Sequence, residues 1–193
     1  MYSEALTRVE ELLERARGTS LREPLAMSLA TANAAGVPTV RVVLLRGFDA
    51  SGFVFYTNTH SDKGRDLTEN PNAALVFHWD ELGEQLRVQG EVQRVSDDQA
   101  DAYWTSRPRE SQIGAWASQQ SKTLDEMATL ARNVHEFERQ FEAQDVPRPA
   151  HWSGYRVVPN RIEFWAHRPA RLHERVVYQR GDDGDWTRRR LYP

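Results

Sequence analysis

At 193 residues, 39% apolar and 27% charged, the chain has the ordinary balance of a globular protein long enough to bury a core. Its net charge of −3, from 25 basic and 28 acidic residues, gives no bulk attraction to nucleic acid. No cysteine occurs, which excludes disulfides, thiolate metal sites, iron–sulfur clusters and cysteine nucleophiles.

The opening stretch MYSEALTRVEELLERARG reads as an amphipathic helix within residues 1–20, with Leu6, Val9, Leu12 and Leu13 on one face. It has neither the basic start nor the apolar run of a signal peptide. No run approaches the ~18 apolar residues of a membrane span, so a cytoplasmic protein without membrane contact is expected.

Residues 21–95 carry strand-like runs at 25–32, 38–46, 52–58, 72–80 and 84–95, most of them rich in β-branched and aromatic residues. AAGVP at 34–38, FDASG at 48–52 and ENPN at 69–72 supply turns between them. Two helices are predicted within 96–145. Ser96-Asp97-Asp98-Gln99 fits a capping box that opens a helix toward Tyr103 and Trp104. Thr123-Leu124-Asp125-Glu126 fits a second, ahead of Met127, Leu130, Val134, Phe137 and Phe141 at helical spacing. The prolines of Val146-Pro147-Arg148-Pro149 end that helix. Residues 150–193 return to strands through GYRVVP, RIEFWAH, RLHERVVYQR and DWTRRRLY. Without internal repeats, the reading is one α+β domain over 1–193, built on an antiparallel sheet that closes on itself.

Catalytic signatures are few. GxxxxGK[ST] and a strand-linked GxGxxG are absent, as are HExxH, HxH and GxSxG. His60-Ser61-Asp62 names a hydrolase triad, but adjacent residues cannot adopt triad geometry. What stands out is cations in unusual places. Arg41 interrupts Val40, Val42, Val43, Leu44 and Leu45, where it needs either an ion pair or a ligand. Arg171, His173 and Arg175 alternate, so on a strand they share one face, which is either solvated or turned to an anion. The segment RPRESQIGAWASQQS, too polar for a core helix and too aromatic for a plain loop, adds Arg107, Arg109, Ser111, Gln120 and Ser121. Guanidiniums, amides and hydroxyls together form a donor set for phosphate oxygens, and a polar cap over a helix start is the plainer alternative.

These stretches also carry a resemblance. RVVLLRGFDASGFVFYTN, SDKGRDLTENPNAALVFHW, RPRESQIGAWASQQS, PRPAHWSGYRVVPNRIEFW and RLHERVVYQR with the terminal RLYP, in order from about Glu23 to Pro193, resemble the pyridoxamine 5′-phosphate oxidase family. The resemblance implies an FMN-binding split β-barrel, antiparallel and Greek-key-like with flanking helices, assembled as a homodimer with flavin at the subunit interface. It implies oxidation of pyridoxamine or pyridoxine 5′-phosphate to pyridoxal 5′-phosphate, with O2 as acceptor and hydrogen peroxide as product. By the same resemblance FMN follows Arg41, Val42, Val43, Leu44, Leu45 and Arg46, and meets Tyr56, Thr57, Lys63, Gln85, Gln120, Ser121, Trp165 and Arg175. The substrate phosphate falls to Arg46, Tyr103, Arg107 and Ser111. Arg171 and His173 are the implied catalytic pair, holding the substrate ring against the flavin.

Four positions depart from the family pattern. Arg46 stands for a usual lysine, Asp62 for a basic residue before the flavin-binding Lys63, and Glu84 for an arginine, while an N-terminal arm that closes over substrate has no counterpart. Two other readings follow: an FMN oxidoreductase of this fold acting on another aromatic substrate, or a non-catalytic protein that binds FMN or pyridoxal 5′-phosphate.

Overall fold

The computed structural model describes residues 1–193. Helix α1 (Tyr2–Arg17) buries Ala5, Val9, Leu12, Leu13 and Ala16 against the sheet, while Leu6, expected on that face, is only half-buried. Strands β1 (Ala26–Ala32), β2 (Pro38–Leu44), β3 (Gly47–Asp49) and β4 (Gly52–Asn58) follow, then helix α2 (Asp62–Glu69), β5 (Asn72–Trp79) and β6 (Glu84–Arg94). Three helices come next, α3 (Asp97–Thr105), α4 (Arg109–Ala117) and α5 (Met127–Gln140), before β7 (Trp152–Ala166), β8 (Glu174–Arg180) and β9 (Trp186–Leu191).

All nine strands form one antiparallel sheet in the order β2-β1-β5-β6-β7-β4-β3, with β8 on β7 and β9 on β8. The strands at the two ends of this order, β2 and β3, are joined by Leu45 and Arg46 alone. So short a link forces the sheet to curl until its ends adjoin. Leu45 N–H donates to Leu25 O at 2.9 Å on one side of this seam, and Arg46 N–H to Val54 O at 2.8 Å on the other. The result is the split barrel expected of an α+β chain.

The fifteen-residue β7 serves two neighbours on one edge, β4 along its first half and β8 along its second. A bulge at Gln89/Gly90 in β6 lets the pair bend there. A Cβ on Gly90 would fall 1.9 Å from Val158 O, so only glycine fits this crossing. The barrel core holds Phe53, Phe55, Leu75, Phe77, Leu86 and Ile162; a smaller core of Trp104, Ile113, Phe141, Val146 and Trp152 lies under α3–α5.

Several expectations need correction. Ser96 does cap α3, its hydroxyl accepting Gln99 N–H at 3.2 Å. The box at Thr123 does not form: α5 begins at Met127 with Glu126 as N-cap and no side-chain cap bond. Helices α2 and α4 were not anticipated. α4 runs through the segment judged too polar for a core helix, and it buries only Ile113 and Ala117, one turn apart. Arg171, His173 and Arg175 do not share a strand. Pro169–Arg171 is a 3-10 turn with Ala170 and Arg171 at φ 55° and 60°, left-handed values that end any extended alternation. Only Arg175 lies on β8.

Candidate functional site

The barrel seam opens into a cavity of about 810 Å³. Its lining carries four cations, Arg41, Arg46, Lys63 and Arg107, and no acidic residue. Val42, Val43 and Leu44 of β2 form one wall; Tyr56, Thr57, Tyr103, Ser111 and Gln120 contribute from β4, α3, α4 and the loop after it. Ser106, Pro108 and Trp152 also line it, and nothing in their local pattern marks them except the aromatic character of Trp152.

Each cation is held differently. Arg41 is not in an apolar interior: β2 is an exposed edge strand, with Val40 70% and Val42 66% exposed. Its guanidinium lies over β1, where Nη1 donates to Thr31 Oγ1 (2.7 Å) and Leu29 O (3.3 Å), and Nη2 donates to Thr39 Oγ1 (2.5 Å). Asp66 Oδ2 of α2 stands 3.8 Å away. Of the two readings open for Arg41, the ion pair is met by Asp66, and the residue also lines the cavity where a ligand would have to sit.

Lys63 is 8% exposed. Its Nζ donates to Gln120 Oε1 (2.9 Å), Ser61 Oγ (3.1 Å) and Thr57 Oγ1 (3.2 Å), all neutral. Burial first, then Arg41, pulls its pKa below the ordinary lysine range, with Asp62 opposing. A buried ammonium without a carboxylate partner is a costly arrangement unless an anion arrives.

Arg107 stands over the rings of Trp152 and Trp104, at 4.8 and 5.1 Å from their centroids. Its Nη1 is buried and has no hydrogen-bond partner. Burial lowers its pKa, helped by Arg46 and opposed by Tyr103. Beside it Tyr56 stacks on Tyr103 at 4.0 Å and on Trp152 at 5.3 Å, giving the cavity a flat aromatic wall.

The other expected residues lie apart. Leu45 is buried behind the seam, and Ser121 turns its hydroxyl to Asp62 N–H (3.2 Å) at the start of α2. Gln85 and Trp165 face each other across β6–β7 and border a separate cavity of about 160 Å³ with Arg8, Arg15 and Glu84. Trp165 also faces Arg175 across β7–β8, and the His173 ring lies 4.5 Å from the Trp165 ring. Arg171 is exposed in the adjoining turn. Within one chain the expected site thus falls into two clusters, one at the seam and one at the β6–β8 end. Arg109 leaves the donor set altogether. It donates to Phe141 O (2.6 Å) and Gln144 O (2.9 Å), tying α4 to the end of α5.

Two of the departures have local explanations. Glu84 pairs with Arg15 at 3.0 Å and ties α1 to β6. Asp62 is paired with Arg65, which also donates to His60 O at 2.7 Å.

The family model for pyridoxamine 5′-phosphate oxidase matches residues 13–141, and that for the pyridoxine 5′-phosphate oxidase C-terminal dimerisation region matches residues 152–193. The chain belongs to the pyridoxamine 5′-phosphate oxidase family. It is 53% identical over 184 residues to the pyridoxine/pyridoxamine 5′-phosphate oxidase of Azorhizobium caulinodans, covering 95% of this chain and 87% of that one. The Myxococcus xanthus enzyme of the same name is 53% identical over 188 residues, covering 97% and 91%. Among solved structures, PhzG from Burkholderia lata 383, in complex with tetrahydrophenazine-1-carboxylic acid, superposes with a TM-score of 0.91 at 33% identity, covering 97% of this chain and 91% of that one. A pyridoxamine 5′-phosphate oxidase-related, FMN-binding protein from Nostoc punctiforme shares the fold, with a TM-score of 0.78 at 18% identity over 97% and 96% of the two chains. The chain is therefore an oxidoreductase of this family and carries the family's dimerisation region in β7–β9. No helix is long and apolar enough to cross a membrane.

Proposed function

We propose that this enzyme oxidises pyridoxamine or pyridoxine 5′-phosphate to pyridoxal 5′-phosphate, with FMN as cofactor and O2 as electron acceptor. The observation that carries the reading is the seam cavity with four cations and no acid, where the buried Lys63 has only neutral partners and one nitrogen of the half-buried Arg107 has none. Two anionic groups satisfy that pattern, one at each end. Lys63 and Arg41, with Thr57 and Gln120, fit the FMN phosphate; Arg107 and Arg46, with Tyr103 and Ser111, fit the substrate phosphate. The aromatic wall of Tyr56, Tyr103 and Trp152 suits flat rings.

Bound FMN would supply the hydride acceptor and pass the electrons on to O2, giving hydrogen peroxide. The protein's own part is orientation and charge. Arg107 and Arg46 fix the substrate by its phosphate, and the stacked rings exclude water beside it. His173 Nδ1 accepts the Arg168 backbone N–H at 3.3 Å, so a neutral His173 carries its proton on Nε2 and offers that N–H as a donor. Gln85, Trp165, Arg171, His173 and Arg175 complete the site from the second subunit of a homodimer, which accounts for their distance from the seam within one chain. The apolar edge of β2, with Val40 and Val42 exposed, supports a partner covering it.

The test is anaerobic. FMN-loaded enzyme given pyridoxamine 5′-phosphate is expected to lose its oxidised-flavin absorbance, and air should restore it with peroxide formed. A flavin that stays yellow with this substrate, but bleaches with a tetrahydrophenazine carboxylate, would assign the enzyme to the chemistry suggested by the ligand of its Burkholderia relative. The orphaned Arg107 nitrogen favours the phosphate, because a dianion with three acceptor oxygens satisfies both Arg107 and Arg46.

Asp62 bears on cofactor affinity. Its carboxylate opposes the lowering of the Lys63 pKa, so it is electrostatically felt at the phosphate end. Asp62→Asn is expected to tighten FMN about two- to fivefold at low salt and less at high salt, the screened behaviour of an exposed charge. Flavin-fluorescence titration at two ionic strengths measures this; weaker binding in the variant would reverse the assignment.

A further inference from the structure

The polar face of β6, β7 and β8 is organised around a single carboxylate. Arg87 faces Glu163 across β6–β7, and Arg175 faces Trp165 across β7–β8. Period-two alternation puts Arg161, Glu163 and Trp165 on one face of β7. The Glu163 side chain is 2% exposed. Its Oε1 lies 2.8 Å from Arg175 Nε, 2.7 Å from Arg175 Nη2 and 3.4 Å from Arg87 Nη1, and its Oε2 lies 2.8 Å from Arg161 Nη2. Three guanidiniums from three strands meet one acid.

Burial alone would raise the Glu163 carboxyl; the hydrogen bonds from Arg161 and Arg175, with Arg87 nearby, outweigh it and hold the group below its usual range. A purely structural ion pair needs one arginine, and here the face keeps an excess of positive charge. Arg175 is clamped from a second side as well, its Nη1 donating to Tyr192 O at 3.2 Å. A guanidinium fixed on both edges with N–H groups still unspent is pre-organised for an incoming acceptor.

We propose that Glu163 is a positioning residue: it holds Arg175 in the orientation from which that arginine meets the flavin, and so sets cofactor affinity without touching the cofactor. This rests on the assignment of Arg175 to FMN made above.

The test uses the full chain with FMN and the variants Glu163→Gln, Glu163→Asp, Arg175→Ala and the Glu163→Gln/Arg175→Ala double. Dissociation constants come from flavin fluorescence, the visible band of bound flavin from absorption, and oligomeric state from light scattering. Loosening an orienting partner is expected to cost about tenfold in FMN affinity in Glu163→Gln, by analogy with the outer-shell partners of metal ligands. The flavin band should shift with it. Glu163→Asp keeps the charge at shorter reach and is expected to recover part of the loss. In the Arg175→Ala background the Glu163 change should add less than about twofold, the signature of one residue acting through another. Additive losses, or a loss that only tracks dissociation of the dimer, make Glu163 a structural residue and overturn the proposal. So does wild-type affinity and spectrum in a folded Glu163→Gln. Should that variant not fold, unchanged affinity and spectrum in Glu163→Asp overturn the proposal equally. Wild-type FMN binding by Arg175→Ala would instead remove Arg175 from the flavin, a failure of the underlying assignment that additivity would not produce.

Discussion

Arg107→Ala is expected to raise KM for pyridoxamine 5′-phosphate about ten- to a hundredfold while leaving FMN content unchanged. Hydrogen bonds to charged groups contribute about 1.5–3 kcal/mol each, and each ~1.4 kcal/mol is tenfold in binding. The Arg107 guanidinium makes few competing bonds: it stands against Trp104 and Trp152, and one of its nitrogens is buried with no partner. A phosphate can therefore bind this guanidinium without breaking a bond that Nη1 already makes, and its contribution is lost in the variant. Steady-state kinetics with phosphorylated and unphosphorylated pyridoxamine check this, since only the former should discriminate wild type from variant. A fall in bound flavin at unchanged KM would move Arg107 to the cofactor side of the cavity.

The barrel was legible because its strands announce themselves. Runs such as GFVFYTN and NAALVFHW are β-branched and aromatic, and glycine, proline and asparagine punctuate them. α1 was legible from an apolar stripe, buried from Ala5 to Ala16, that repeats over about three turns. α4 was not, because nine residues with only Ile113 and Ala117 buried show a single helical spacing, too little for a period to emerge. Its Pro108 N-cap also lacks the side-chain signature that marks Ser96.

Among site residues the errors are geometric. Arg171, His173 and Arg175 drew notice through alternation, yet the turn at Pro169 and the left-handed Ala170 and Arg171 break the strand before Glu174. Arg109 looked like a phosphate donor because a sequence does not reveal which arginine will meet the open carbonyls at the end of α5. Nothing local singles out Lys63; it came only from the resemblance, and its isolation among neutral partners is a tertiary fact. Glu163 was missed although a signal existed: an acid inside the strand run RIEFW, flanked by Ile162 and Phe164, needs a buried partner.

That isolation gives Lys63→Met two effects of opposite sign. Without ligand, the variant is expected to melt at a higher temperature than wild type. Folding buries the ammonium against neutral oxygens, and the substitution removes that cost while keeping the volume of the side chain. The three acceptors keep other bonds, Thr57 Oγ1 donating to Gln120 Oε1 at 3.2 Å and Ser61 Oγ to Asn58 O at 2.7 Å, so no donor is stranded. FMN affinity, in contrast, is expected to fall about a hundredfold, the scale of losing a desolvated charge–phosphate bond. The pH dependence follows from the same lowered pKa. Between the folded value and the higher unfolded one, the unfolded chain binds more protons, so the stability of the ligand-free protein rises with pH across that window. FMN affinity runs the other way: the phosphate favours the ammonium, and binding weakens as pH climbs through the lowered Lys63 value. Lys63→Met should flatten both of these contributions. Thermal melts and flavin titrations across the alkaline range measure them together. Unchanged FMN affinity, or a lower melting temperature in the ligand-free variant, would mean that Lys63 is a structural lysine rather than a cation held in readiness for a phosphate.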